Sequence, residues 1–136
     1  MADPARLQRL DLFASCTPKE LKRLAGLLDE TTVAAGTVLT EQGGLGSQAF
    51  VLLSGSADVL SGGRAIATLG AGDLIGEMAL LDRAGARSAT VVTTSEADVL
   101  VMDPQSFETV MSTFPTVARQ VATTLARRLR EAGQDD

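Results

Sequence analysis

The sequence predicts a mainly β domain with helices at both ends, its strands closing into a small sandwich or barrel. Three observations predict it. Between positions 31 and 102 the chain breaks into short, β-branched runs punctuated by glycines that recur from Gly36 to Gly72. On either side of that region the apolar residues recur at helical spacing instead. A length of 136 residues with 45% hydrophobic content is enough for one compact core and too short for two ordinary domains, so a single domain over 1–136 is expected.

Each element has a local reason. Leu7, Leu10 and Phe13 share one helical face, and "TPKE" at 17–20 supplies a capping box with proline at the first helical position. Leu21, Leu24, Ala25 and Leu28 continue at helical spacing, which predicts two short helices within 1–30. Strands are expected at 31–35, 38–40, 49–53, 57–60, 65–69, 88–94 and 99–102. Asp103 then reads as an N-cap with Pro104 in the first turn of a helix that carries Phe107, Val110, Met111 and Phe114 on one face. Pro115 breaks the pattern and restarts it. Val117, Val121, Leu125 and Leu129 recur every fourth residue along a long amphipathic helix, a ladder that means core or a dimer seam. The polar ending "EAGQDD" is expected to fray.

Composition excludes most enzyme chemistry. Histidine is absent and Cys16 is the lone cysteine. A usual zinc site, a Ser-His-Asp triad or a Cys-His pair each needs imidazole or several thiolates, so no catalytic residue, metal site or cofactor is expected. Internal disulfides are excluded too, and Cys16 reads as a small buried hydrophobe rather than a redox sensor. The opening "MADPARLQRL" mixes charges into an otherwise unremarked start, and no apolar run approaches the ~18 residues of a membrane span. The expected location is the cytoplasm. A net charge of -5 argues against nucleic acid as a partner of the chain by itself. The basic "ARRLR" at 126–130 lies near a helix C-terminus, where cations complement the macrodipole; contact with a ligand or partner is the other reading.

One stretch, "GEMALLDRAGARSATV" at 76–91, combines an acid and a base inside apolar surroundings. A short helix over "GEMALL" would present free backbone N–H groups at its start, and such an end attracts anions. Arg87 could add a bidentate fork to the same anion, with Ser88 and the Ala89 backbone as further donors. Glu77 suits a ribose 2′-hydroxyl beside that phosphate. Taken as an isolated pair, Glu77 and Arg87 fit a structural ion bridge as well.

These residues resemble the phosphate-binding cassette of cyclic nucleotide-binding domains, in which G-E-x-[AS]-L is followed, after a variable loop, by R-[STA]-A. "GSQAFVLLSGSADVL" is similar to that family's strand pair, and "FPTVARQVATTLARRL" to the long helix of the bacterial catabolite activator class. The resemblance covers nearly the whole chain. It implies an eight-stranded antiparallel β-roll, jelly-roll-like, at 31–102 with the cassette at 76–90, N-terminal helices at 1–30, and C-terminal hinge and lid helices at 103–133.

The resemblance also implies roles. Glu77 would accept from the ribose 2′-hydroxyl, Arg87 would hold the exocyclic phosphate oxygens, and Ser88 would hydrogen-bond the same group. Gly76, Met78 and Ala79 would contribute backbone groups and Ala89 a backbone N–H. Serine after the arginine leans toward cyclic AMP (cAMP), with cyclic GMP (cGMP) the alternative. Framework positions differ at Ser47 and Val51, and Arg130, Glu131, Ala132 and Gly133 stand where the catabolite activator class places its adenine contacts. That leaves Arg128 or Arg130 as candidates to stack on the base. The DNA-reading motif of that class is not within these residues. The implied partner is then a separate effector protein, with a homodimer through the last helix as a further expectation; Leu80 or Leu81 would repack against the 107–114 helix when nucleotide binds. A ligand-free adaptor of the same fold and the regulatory part of a transcription regulator are the alternatives.

Overall fold

The computed structural model describes residues 2–44, 48–76 and 89–134. Helix α1, Pro4–Gln8, starts at Asp3, whose carboxylate accepts from the Ala5 N–H at 2.9 Å. A 3-10 turn, Asp11–Phe13, follows. The face expected to be one helix is thus divided between two pieces. Leu7, Leu10 and Phe13 are nonetheless all buried, because a spacing of three suits the tighter turn as well as it suits an α-helix. Helix α2, Pro18–Leu27, carries the expected capping box: Thr17 accepts from the Glu20 N–H and Glu20 from the Thr17 N–H.

Eight strands follow: β1 Asp29–Val33, β2 Val38–Thr40, β3 Ala49–Ser54, β4 Ala57–Ser61, β5 Arg64–Leu69, β6 Leu74–Ile75, β7 Thr90–Thr93 and β8 Ala97–Met102. They form two antiparallel four-stranded sheets, sheet A in the order β1-β8-β3-β6 and sheet B in the order β2-β7-β4-β5. Several strands differ from expectation: β7 is Thr90–Thr93 where 88–94 is expected, and β8 begins at Ala97, two residues before 99. β1 begins two residues earlier than its β-branched run, because pairing of Asp29 with Val101 and Glu30 with Leu100 sets its register against β8. β6 was unexpected; its two residues pair with Phe50 and Val51, a long-range contact that no local pattern announces.

Two helices close the chain, α3 Pro104–Thr113 and α4 Pro115–Gln134. The Asp103 carboxylate accepts from the Ser106 N–H at 2.7 Å, as an N-cap should. Phe114 sits between the helices at φ -120° and ψ 84°, off the helical region as a residue before proline must be.

Alternation along the central strands sorts the core into two layers. From β3, Ala49, Val51 and Leu53 point to the helices, while Phe50 and Leu52 point between the sheets. β8 does the same with Leu100 and Met102 against Ala97 and Val99, and β6 with Leu74 against Ile75. Sheet A is therefore a wall with helices on one side and sheet B on the other. Phe13, Leu24, Phe107, Phe114, Val117 and Val121 fill the helical side, and the Arg23 guanidinium lies 5.3 Å from the Phe114 ring centre. Cys16 is buried there too; burial, with the charge of Glu20, pushes its thiol above the ordinary value.

Candidate functional site

The ends of the stretch singled out above lie on different sheets. Its leading strand, β6, is the edge of sheet A, and Ile75 faces the layer between the sheets. Gly76 then takes φ 81°, the left-handed region that glycine occupies without strain, and turns the chain away from the edge. The chain rejoins at Ala89 and enters β7, an inner strand of sheet B. The stretch therefore leaves the edge of one sheet at Gly76 and re-enters the middle of the other at Ala89. Phe50, Leu52, Val91 and Val99 fill the layer between the sheets, whereas β5 at the far edge of sheet B is exposed from Arg64 through Thr68.

Both ends are firmly held. Ahead of β6, the Asp73 carboxylate accepts from the Gly70 N–H at 2.7 Å, Gly72 N–H donates to the Leu52 carbonyl at 2.7 Å, and Leu52 N–H donates to the Asp73 carbonyl at 3.0 Å. At the return, the buried Thr40 hydroxyl donates to the Ala89 carbonyl at 3.1 Å. Gln42 N–H donates to the Thr90 hydroxyl at 2.9 Å, and the Gln42 side-chain oxygen accepts from the Gly62 N–H at 2.8 Å.

The terminal helix reaches the same place. Arg128 Nη2 donates to the Leu74 carbonyl at 2.6 Å, so α4 is docked on the strand that leads into the stretch. Arg130, the other candidate base contact, is exposed. The structure thus shows where Gly76, Ala89, Arg128 and Arg130 lie. Glu77, Met78, Ala79, Arg87 and Ser88, together with the short helix expected over "GEMALL", lie outside the described residues, as do Leu80 and Leu81.

Sequence reasoning missed the supports. Thr40 and Thr90 fall within expected strands, and no local pattern marks Gln42 or Leu74. Their roles come from backbone pairing between distant segments, for which a single sequence carries no signal. Among the described residues no helix is long and apolar enough to cross a membrane, and no group of three or more His, Cys, Asp or Glu is placed to hold a metal ion.

A sequence profile of the cyclic nucleotide-binding domain matches residues 30–114. The chain is 34% identical over 126 residues to the cyclic AMP receptor protein of Thermus thermophilus, covering 89% of this chain and 58% of that protein. It is 32% identical over 110 residues to the Pycsar effector protein XpPycTIR of Xanthomonas perforans, covering 81% of this chain and 36% of that one. It thus spans less than two thirds of the length of either curated relative. Among solved structures, the Thermus thermophilus catabolite activator protein superposes with a TM-score of 0.81 at 33% identity, over 91% of this chain and 60% of that one. A PKAR CBD2 bound to Sp-2Cl-cAMPS superposes with a TM-score of 0.77 at 24% identity, over 94% and 87%, a likeness of fold alone.

Proposed function

The chain belongs to the cyclic nucleotide-binding domain family, and from that premise we propose that it is a non-catalytic regulatory domain that binds a cyclic purine nucleotide, cAMP in the first place, at 76–89. Glu77 accepts from the ribose 2′-hydroxyl, Arg87 and Ser88 hold the phosphate, and the backbone of Gly76, Met78, Ala79 and Ala89 completes the cradle. What supports this reading is the family match together with the two described ends of the stretch, Gly76 at φ 81° beside the edge of sheet A and Ala89 beside the inner strand β7 of sheet B.

The output is conformational. α4 is tied to β6 through Arg128 and Leu74, so a nucleotide that shifts the residues after β6 changes the ground on which the helix sits. Coupling of about 1–3 kcal/mol is the usual scale for such a switch. In this reading α3 and α4 pass the signal to a separate effector protein, and the nucleotide is met in the cytoplasm.

The test is calorimetric titration of nucleotide-stripped protein with cAMP, cGMP and 5′-AMP in parallel. Saturable binding of a cyclic form, with 5′-AMP much weaker, supports the reading and fixes the base preference. Absence of binding by all three overturns it and leaves Glu77 and Arg87 with a structural role.

A further inference from the structure

The alternation of β2 breaks at the residue that meets the proposed site. Val38 is 54% exposed, Leu39 packs against the layer between the sheets, and by the period of two Thr40 should face outward again. It is instead buried, at 6% exposure. The cause is a slip of register: Val38 lies opposite Val92 and Thr40 opposite Val91, so two steps along β2 match one along β7. Such a bulge inserts one residue into the strand and re-aims the side chain that follows. β2 thus buries a hydroxyl that a regular strand would have left in water.

A buried hydroxyl needs a partner. That of Thr40 donates to the Ala89 carbonyl at 3.1 Å, 49 positions along the chain. Thr93, the other buried polar residue among the described residues, is used differently: its hydroxyl donates to the Ala34 carbonyl and accepts from the Thr37 N–H, each at 2.9 Å, and so closes the turn between β1 and β2. Thr93 therefore serves a turn of the β-region, whereas Thr40 serves the residue at which the 76–89 stretch ends. Gln42 secures the next residue, its N–H donating to the Thr90 hydroxyl at 2.9 Å. Two successive residues, Ala89 and Thr90, are thus held from the end of β2.

We infer that Thr40 is a positioning residue for the nucleotide site, with the β2 bulge as the device that aims it. The inference rests on the function proposed above, in which the Ala89 N–H takes part in the cradle. The carbonyl and the N–H of Ala89 are joined through that residue's own two backbone torsions, so a fixed carbonyl direction narrows the directions open to the N–H. A donor already aimed at its ligand loses less freedom when the ligand binds. Thr40 acts through Ala89 and not on the nucleotide itself.

The test is calorimetric titration of the nucleotide-stripped whole chain with cAMP and with cGMP, alongside urea unfolding of each form. Thr40→Val, which keeps the shape and loses the donor, should bind about tenfold more weakly, the scale of one net hydrogen bond. Thr40→Ala, free of the added methyl, should show the same loss, and Thr40→Ser, which keeps the donor, should retain most of the affinity. Thr93→Val, a loss of the other buried hydroxyl, should lower the urea midpoint and leave the affinity at the parent value. In nuclear magnetic resonance spectra of the nucleotide-free protein, Thr40→Val should move the Ala89 and Thr90 amide signals. A parent that binds a cyclic nucleotide, with Thr40→Val and Thr40→Ala at equal affinity, overturns the inference and leaves the nucleotide reading standing. Equal losses of affinity in Thr40→Val and Thr93→Val do the same, since they mark a general loosening of the sheet. A parent that binds neither nucleotide overturns the reading, and the inference with it.

Discussion

Arg128 and Leu74 stand 54 positions apart and meet at 2.6 Å, guanidinium to backbone carbonyl. This contact ties the last helix to the strand that leads into the candidate nucleotide site. Hydrogen bonds to charged groups contribute about 1.5–3 kcal/mol when buried, and this one is half-buried. Arg128→Met, which keeps most of the stem, should therefore lower stability by about 1 kcal/mol in urea unfolding. Hydrogen exchange should quicken through 125–134 and at Ile75 and Gly76. Unchanged exchange in both segments would show that the helix is held by its apolar face alone.

Arg87→Ala should weaken cyclic nucleotide binding by about 2–5 kcal/mol, since a phosphate loses its charged partner. Far-ultraviolet circular dichroism of the nucleotide-free protein should stay as it was. Titration of the variant with cAMP checks the first statement, and equal affinity in parent and variant defeats the proposed site.

Gly55 turns the chain between β3 and β4 at φ 91°, and a Cβ there would meet the Glu96 carbonyl oxygen at 2.6 Å and the Ala97 Cβ at 2.8 Å. Both backbone strain and a clash oppose any side chain. Gly55→Ala should cost about 3 kcal/mol, near the upper end for a residue held at positive φ. A shift in the urea midpoint with an unchanged slope is the expected signature.

Thr17→Ala removes one half of the α2 capping box, the hydroxyl that accepts from the Glu20 N–H at 3.1 Å. The loss should be about 1 kcal/mol. Thr17→Ser, which keeps the acceptor, should restore most of it in the same unfolding measurement.

Asp98 is held below the usual carboxylate range, first by the Thr32 hydroxyl at 2.6 Å and then by Arg6. Because the folded value lies below the unfolded one, its contribution is present in full above the ordinary carboxylate value and is lost as pH falls through the depressed one. Asp103 behaves alike through the Ser106 backbone. Acid unfolding of Asp98→Asn should show a shallower loss of stability below about pH 4 than the parent does. Identical slopes would mean that other carboxylates govern the acid limb.

Much of this molecule was legible in the sequence because its causes are local. The capping box at Thr17 and Glu20, the Asp103 cap, the break at Pro115 and the glycine-punctuated strands all follow from residues within a few positions of each other. Glu77 and Arg87 are named through the family resemblance of their motif, and they lie outside the described residues. Only the tertiary structure decided the rest. β1 takes its register from β8, β6 exists because Phe50 and Val51 pair with it, and Thr40 supports Ala89 across 49 positions. Local propensity and capping act over a turn or two of chain, whereas strand pairing and helix docking are settled by which distant surfaces bury each other best, and that information is spread over the whole sequence.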